Sequence, residues 1–246
     1  MSNGTVNDTV LPDWPAPPNV RAFCTSRKGG FSKGPWSSLN LGENCGDDPG
    51  DVFRNRERLC EDLPVPPLWL RQVHGTTVVE HPGRSTDGQE GDAMVSSRPG
   101  QVCAVLTADC LPVFFCSSSG DRVAVAHAGW RGLADGVLEE TIKALGEDPA
   151  DLLAWMGPAI GPEVYEVGPE LTEAFAGEYP AGFTSRGDRF LLDIYTLAKM
   201  KLTAAGVPAV YGGGLCTYSE PGRFFSYRRD GVTGRMASLI WLDDSP

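Results

Sequence analysis

The chain contains only three histidines and seven cysteines. Two of the histidines and one of the cysteines share a setting. His74 closes the apolar run "LRQVH" ahead of Gly75, His127 closes "VAVAH" ahead of "AGWRG", and Cys110, in "TADC", stands where two apolar runs meet. Two neutral imidazoles and one thiolate suit a three-ligand zinc site whose fourth position stays open to water or substrate, as a catalytic zinc requires. The same residue types also make a Cys/His nucleophile pair, with Cys110 attacking an amide or ester and His127 as its base. The three residues lie far apart in sequence, unlike the paired spacings of zinc fingers. Spacing alone therefore leaves both chemistries open, along with a purely structural role. His81 precedes "PG" in a polar loop and is assigned no role.

Other polar residues stand at breaks in the pattern. Asn40, in "SLNLG", lies in a long unpatterned segment, with Arg27 upstream and Arg56 downstream. A row of Gly and Pro in "GPAIGP" leads to Tyr165 and Glu166, and "FSYRRDGVTGR" places Arg228 and Arg229 at the end of a run followed by a glycine turn. Taken singly, each arginine is also readable as a solvated surface charge.

The elements that must position these residues follow from periodicity. Runs rich in Val, Ala and Phe predict strands at "VRAFCTS", "LWLRQVHG", "TTVVEH", "DAMVSS", "QVCAVLTA", "CLPVFFCS", "RVAVAHA", "DLLAWMG", "PAVYGG", "RFFSYRR" and "MASLIWL". Helical spacing marks "DVFRNRERLCEDL", "LADGVLEETIKAL" stopped by Gly146, "PELTEAFAGEY" opened by proline, and "IYTLAKMKLTAAG" ended by Gly206. Strands and helices intermix without a βαβ repeat, which predicts an α+β protein with a mixed sheet. Residues 1–18 read as a flexible N-terminal tail and 19–246 as one domain. The loop between "VRAFCTS" and the first helix is long enough to suggest function.

Composition narrows the classes. A net charge of −11 disfavours nucleic acid and anionic membrane as partners. No apolar run is long enough for a membrane span, and the first residues lack the pattern of a signal peptide, so a cytoplasmic setting is expected. The odd cysteine count without a CxxC pair predicts reduced thiols, with Cys24, Cys60, Cys103 and Cys116 as small core residues.

Together, "LRQVHG", "GDAMV", "TADCLPV", "VAHAGWRG", "GPAIGPEVYEVG" and "FSYRRDGVTGRMA" resemble a bacterial family first described as multicopper polyphenol oxidases, or laccase-domain proteins, and later reassigned as purine nucleoside phosphorylases. The resemblance runs from about Arg21 to Trp241. It implies mixed β-sheets packed on each other with helices outside, and one Zn2+ held by His74, Cys110 and His127. It further implies phosphorolysis of adenosine, inosine, guanosine and methylthioadenosine, with deamination of adenosine.

Under that resemblance, purine nucleosides and phosphate become the partners. Arg131, in a turn feeding a helix, would orient phosphate, with Arg27, Arg56, Arg228 and Arg229 as further candidates. Trp130 or Phe31 would stack on the base or simply pack. Asp92 and Glu166 are candidate acids for the departing amine, with Asp109 beside Cys110 ranked as a structural partner. Alternatives are a metal-free Cys/His hydrolase and a peptidoglycan-precursor editing factor, implied for some members of the family. The older copper oxidase reading is disfavoured, since three histidines cannot furnish a blue-copper centre plus a three-copper cluster.

Overall fold

A computed structural model describes residues 8–83, 88–175 and 177–244. In chain order its elements are β1 (Val20–Cys24), α1 (Pro49–Cys60), β2 (Val78–Glu80), β3 (Ala93–Ser96), β4 (Cys103–Thr107), β5 (Leu111–Ser117), β6 (Val123–Ala128), α2 (Trp130–Asp135) and α3 (Val137–Leu145). There follow β7 (Leu152–Met156), β8 (Glu166–Val167), α4 (Pro169–Ala174), β9 (Phe183–Arg186), β10 (Arg189–Leu192), α5 (Ile194–Ala204), β11 (Ala209–Gly212), α6 (Tyr227–Asp230) and β12 (Met236–Leu242). A six-stranded mixed sheet has the order β11-β7-β5-β6-β3-β2, and two smaller sheets run β1-β12-β4 and β8-β10-β9. The architecture is α+β, as the intermixed pattern predicts.

Strand β6 shows how the layers form. Successive side chains on a strand alternate faces. Ala124, Ala126 and Ala128 share one core with α3 and α5, while Val123 and Val125 share the other with Val105, Met236 and Ile240 of the β1-β12-β4 sheet. Small alanines let α3 lie close against the sheet, and the valines fill the gap between the two sheets. His127 continues the valine parity, so its ring belongs to the side between the sheets, at the end of the strand. Strand β5 alternates likewise, with Val113 and Phe115 toward the helices and Phe114 and Cys116 toward the small sheet.

Several expectations need correction. "LWLRQVHG" forms no strand; its backbone makes isolated bridges at Leu68 and Arg71. The Gln72 side chain occupies the place of a neighbouring backbone, donating to Leu106 O at 2.9 Å and accepting from Leu106 N at 2.7 Å. "RFFSYRR" is not a strand either. Phe224 N bonds to Glu220 O, and the Ser226 hydroxyl caps the short helix α6 by accepting from Arg229 N.

The helix expected over 133–145 is broken at Gly136, whose φ of 100° separates α2 from α3. Helix α4 stops at Ala174, where Phe175 turns into the core. Part of the expected tail is tied down: Val10 bridges Cys24 and is buried. Residues 1–7 of that segment lie outside the described residues. Cys24, Cys103 and Cys116 are buried as expected, whereas Cys60 is half-buried at the end of α1.

Candidate active site

The site lies where β5 begins and β6 ends. Those strands are antiparallel, with Pro112 opposite His127, so Cys110, just before β5, comes beside His127. The stretch Ala108–Cys110 carries the chain from β4 in the small sheet to β5 in the large one. Asp109 turns this corner at φ 93°, a conformation that Asp tolerates better than most residues. Its carboxylate is committed there, accepting from the Thr217 hydroxyl at 2.6 Å and from Arg228 N at 2.7 Å.

His74 arrives from the irregular segment after Gln72, with φ 62°. Asp92 holds it there. That carboxylate, fully buried, accepts from the three successive backbone N–H groups of Val73 (3.1 Å), His74 (2.9 Å) and Gly75 (2.8 Å). It also bonds His127 Nδ1 at 2.8 Å, which turns His127 Nε2 toward the other two ligands. Burial works against ionisation of Asp92, but the His127 ring and the N–H donors outweigh it and hold the carboxyl below its ordinary value.

The ligand atoms of His74, Cys110 and His127 lie within 4.8 Å of one another, and they form the one such metal-capable cluster found among the described residues. Cys110 Sγ is 3.8 Å from His74 Nε2, near the ~3.6 Å that a tetrahedral zinc would set between a thiolate and an imidazole nitrogen. Burial opposes ionisation of the Cys110 thiol, yet the His127 and His74 rings outweigh it and draw the thiol downward. Burial likewise opposes a charged His127, but the Cys110 thiolate and Asp92 raise it. A thiolate is thus favoured before any cation arrives. Gly129 closes the back of the cluster: a Cβ there would fall 2.8 Å from His74 Cδ2 and 3.0 Å from Cys110 Sγ.

The cluster opens into a cleft of about 760 Å³, within the range of small-molecule sites. Among its walls are Arg56, Trp69, Arg71, Gln72, Leu106 and Arg235. Of the expected site residues, only His74, Cys110, His127 and Arg56 reach it. Arg56 lies over Trp69 at 4.5 Å and pairs with Glu43. Asn40 is a buried organiser, whose side chain bonds Gly42 O, Gly42 N, Asp47 and Arg235 N.

The remaining arginines are engaged elsewhere. Arg27 bonds Ser37 O and Pro221 O, Arg131 covers Trp130, and Arg228 reaches Glu166 O. Arg229 spends its guanidinium on Thr217 O, Tyr218 O, Phe224 O and Asp230. Glu166 pairs with Arg186 and Arg189. Asp92, Asp109 and Glu166 all lie outside the cleft lining, where Glu43 is the one carboxylate among the described residues. Trp130 and Phe31 also lie outside it, leaving Trp69 and Tyr227 as its aromatic residues.

Arg71 and Arg235 were both passed over by the sequence reading, although each stands inside a motif quoted for the resemblance. Their only signal was membership of those motifs, since an arginine inside the run "LWLRQVH" or after the turn "DGVTG" reads as an ordinary surface charge.

Residues 21–243 match the sequence profile of the family described as multi-copper polyphenol oxidoreductase laccase. The chain belongs to that family. Among relatives of this laccase-type family, purine nucleoside phosphorylase YfiH of Escherichia coli is 52% identical over 238 residues, covering 95% of this chain and 98% of its own. Purine nucleoside phosphorylase PA4543 of Pseudomonas aeruginosa is 53% identical over 245 residues, covering 97% and 100%. In crystal structures, protein NMB0706 of Neisseria meningitidis superposes with a TM-score of 0.94 at 47% identity, covering 96% of this chain and 100% of that one. YlmD from Geobacillus stearothermophilus gives 0.89 at 32%, covering 98% of each. No helix among the described residues is long and apolar enough to cross a membrane.

Proposed function

We propose that the protein is a zinc-dependent purine nucleoside phosphorylase acting on adenosine, inosine, guanosine and methylthioadenosine, and that the same site deaminates adenosine. The observation that carries this reading is the convergence of His74, Cys110 and His127 on a cleft that also holds Arg56, Arg71 and Arg235. It is supported by a chain more than half identical to two proteins named purine nucleoside phosphorylase. Two imidazoles and a thiolate form a borderline-soft donor set of the kind zinc takes, and copper is disfavoured for want of histidines. A cytoplasmic setting, with all seven thiols free, completes the reading.

When bound, zinc supplies Lewis-acid polarisation. The chain's own residues do the rest. Leu70 and Leu106 give the purine an apolar wall, and the cleft arginines attract and orient phosphate. In phosphorolysis a phosphate oxygen bonds ribose C1′ while the C1′–N9 bond breaks, and the base leaves with the electron pair and gains a proton. In deamination the oxygen of water replaces the amino group and ammonia departs. Glu43 is the candidate for carrying a proton from that water to the departing amine, in place of Asp92 and Glu166.

The test is a panel of purine nucleosides with and without phosphate, followed by product identification. Free base plus ribose 1-phosphate is expected, with inosine formed from adenosine; no turnover of any nucleoside overturns the reading. A second reading, the metal-free Cys/His hydrolase, draws on the lowered Cys110 thiol. Zinc analysis of protein purified without chelators separates the two, because stoichiometric zinc that is lost in Cys110→Ala excludes the hydrolase. Including muramoyl-peptide precursors in the panel tests the editing alternative.

A further inference from the structure

The cleft continues into a recess of about 570 Å³ formed around the glycine turn before β12. Cleft and recess share Asn44, Cys45, Tyr227 and Arg235. Two groups in the recess lack the partners their chemistry calls for. Thr233 is 2% exposed, and its hydroxyl makes no hydrogen bond, an omission that folded proteins seldom leave without a ligand or water to fill it.

Arg235 is half-buried, and its guanidinium pairs with no carboxylate among the described residues. Its Nη1 donates to Thr233 O at 3.1 Å and Gly234 O at 3.0 Å, and its backbone N is fixed by Asn40. Nε and Nη2 make no hydrogen bond within the described residues.

The neighbouring charges sharpen the contrast. Arg56 is paired with Glu43 and Arg71 with Glu90. Asp230, the carboxylate bordering the recess, is taken by Arg229 Nε and Nη2 at 2.9 and 2.8 Å. In a chain of net charge −11, an oriented guanidinium thus stands in a concave site without a counter-ion among the described residues, beside a hydroxyl that they leave unpartnered. A planar fork with two free donors matches a tetrahedral oxyanion, which it holds by paired charge-assisted bonds.

We propose that Arg235 and Thr233 form a phosphate subsite at the recess end of the cleft, away from His74, Cys110 and His127. Arg235 supplies charge and two donors from Nε and Nη2. Thr233, in the same lining, supplies a hydroxyl that has no other partner among the described residues. The use of that phosphate as co-substrate rests on the proposed phosphorolysis, whereas its binding does not.

Binding of inorganic phosphate to the metal-loaded protein is measured directly, by 31P NMR or calorimetry, without turnover. Arg235→Met is expected to weaken binding by about tenfold or more, Arg235→Lys by less, and Thr233→Val by a few-fold. Arg131→Met, outside the cleft, is expected to stay within about twofold, as befits an exposed charge screened by solvent. Should Arg235→Met fold poorly, phosphate protection of Arg235 in the unaltered protein against butanedione, read by mass spectrometry, gives the same answer. Undiminished phosphate binding in Arg235→Met, or no protection of Arg235, overturns the subsite. Phosphorolysis that proceeds with wild-type phosphate affinity in Arg235→Met rejects the subsite and keeps the enzyme. Phosphate bound at Arg235 without ribose 1-phosphate from any nucleoside keeps the subsite and rejects the enzyme.

Discussion

Asp92 Oδ1 lies 2.8 Å from His127 Nδ1, and the same oxygen accepts the backbone N–H of His74 at 2.9 Å. One buried atom therefore orients two histidines of the candidate site that come from different parts of the chain. Removing its charge should be felt at the metal. Asp92→Asn is expected to lower zinc affinity by about 10- to 100-fold, the range found for partners of metal-bound histidines, measured by competition with a chelator.

The same carboxylate makes stability depend on acid. Its folded-state value lies below the ordinary carboxylate range. The stability it contributes is therefore complete above the unfolded value and is lost as pH falls through the folded one. Urea unfolding of metal-free protein between pH 7 and pH 3 should show that loss, with a shallower slope in Asp92→Asn.

Gly129 tests the packing behind the ligands. Any Cβ there meets His74 and Cys110 at or below 3.0 Å, so Gly129→Ala must displace one of them. Zinc stoichiometry should drop while the fold survives, at a cost of about 1–3 kcal/mol for overpacking. Gly222→Ala, with open space around it, serves as the neutral comparison.

How much of this is legible in the sequence depends on where each backbone group finds its partner. The alternating runs of β5 and β6 could be read from apolar pattern, whereas metal ligation by His74, Cys110 and His127 was favoured over the other chemistries left open only by the resemblance of their motifs to the family. The segment at His74 could not be read from pattern, because the Asp92 side chain, and not a neighbouring strand, takes its N–H groups, while the Gln72 side chain occupies the backbone of Leu106. The split at Gly136 was hidden because a single glycine inside a good helical pattern is usually tolerated. The arginines misled for a related reason: Arg229 resembles a free charge in sequence, yet it is consumed by carbonyls that only the folded turn brings together.

The buried thiols predict an alkaline limit. Burial pushes Cys24 and Cys116 up to about 12. Each stays protonated in the fold while the unfolded chain ionises near pH 9, so stability falls as pH rises above that point and continues to fall toward the folded values. In metal-free protein at neutral pH, a thiol reagent should label Cys110 readily and Cys24, Cys103 and Cys116 only on unfolding.

Asn40 supports one wall of the cleft from inside. Its amide joins the Gly42 turn to Arg235, and all of it is buried. Asn40→Ala would leave several buried groups unsatisfied and is expected to cost about 2–4 kcal/mol. Denaturant unfolding should show a lower midpoint with an unchanged m-value.

That bond between Asn40 and Arg235 spans 195 residues, which has a consequence for biosynthesis. A nascent chain can pair β5 with β6 and bring Cys110 beside His127 long before its last strand is made. The opposite wall must wait, because the turn carrying Thr233 and Arg235 is translated almost last. During synthesis His74, Cys110 and His127 can therefore come together before the cleft is complete, and a ribosome-bound chain would acquire the first well ahead of the second.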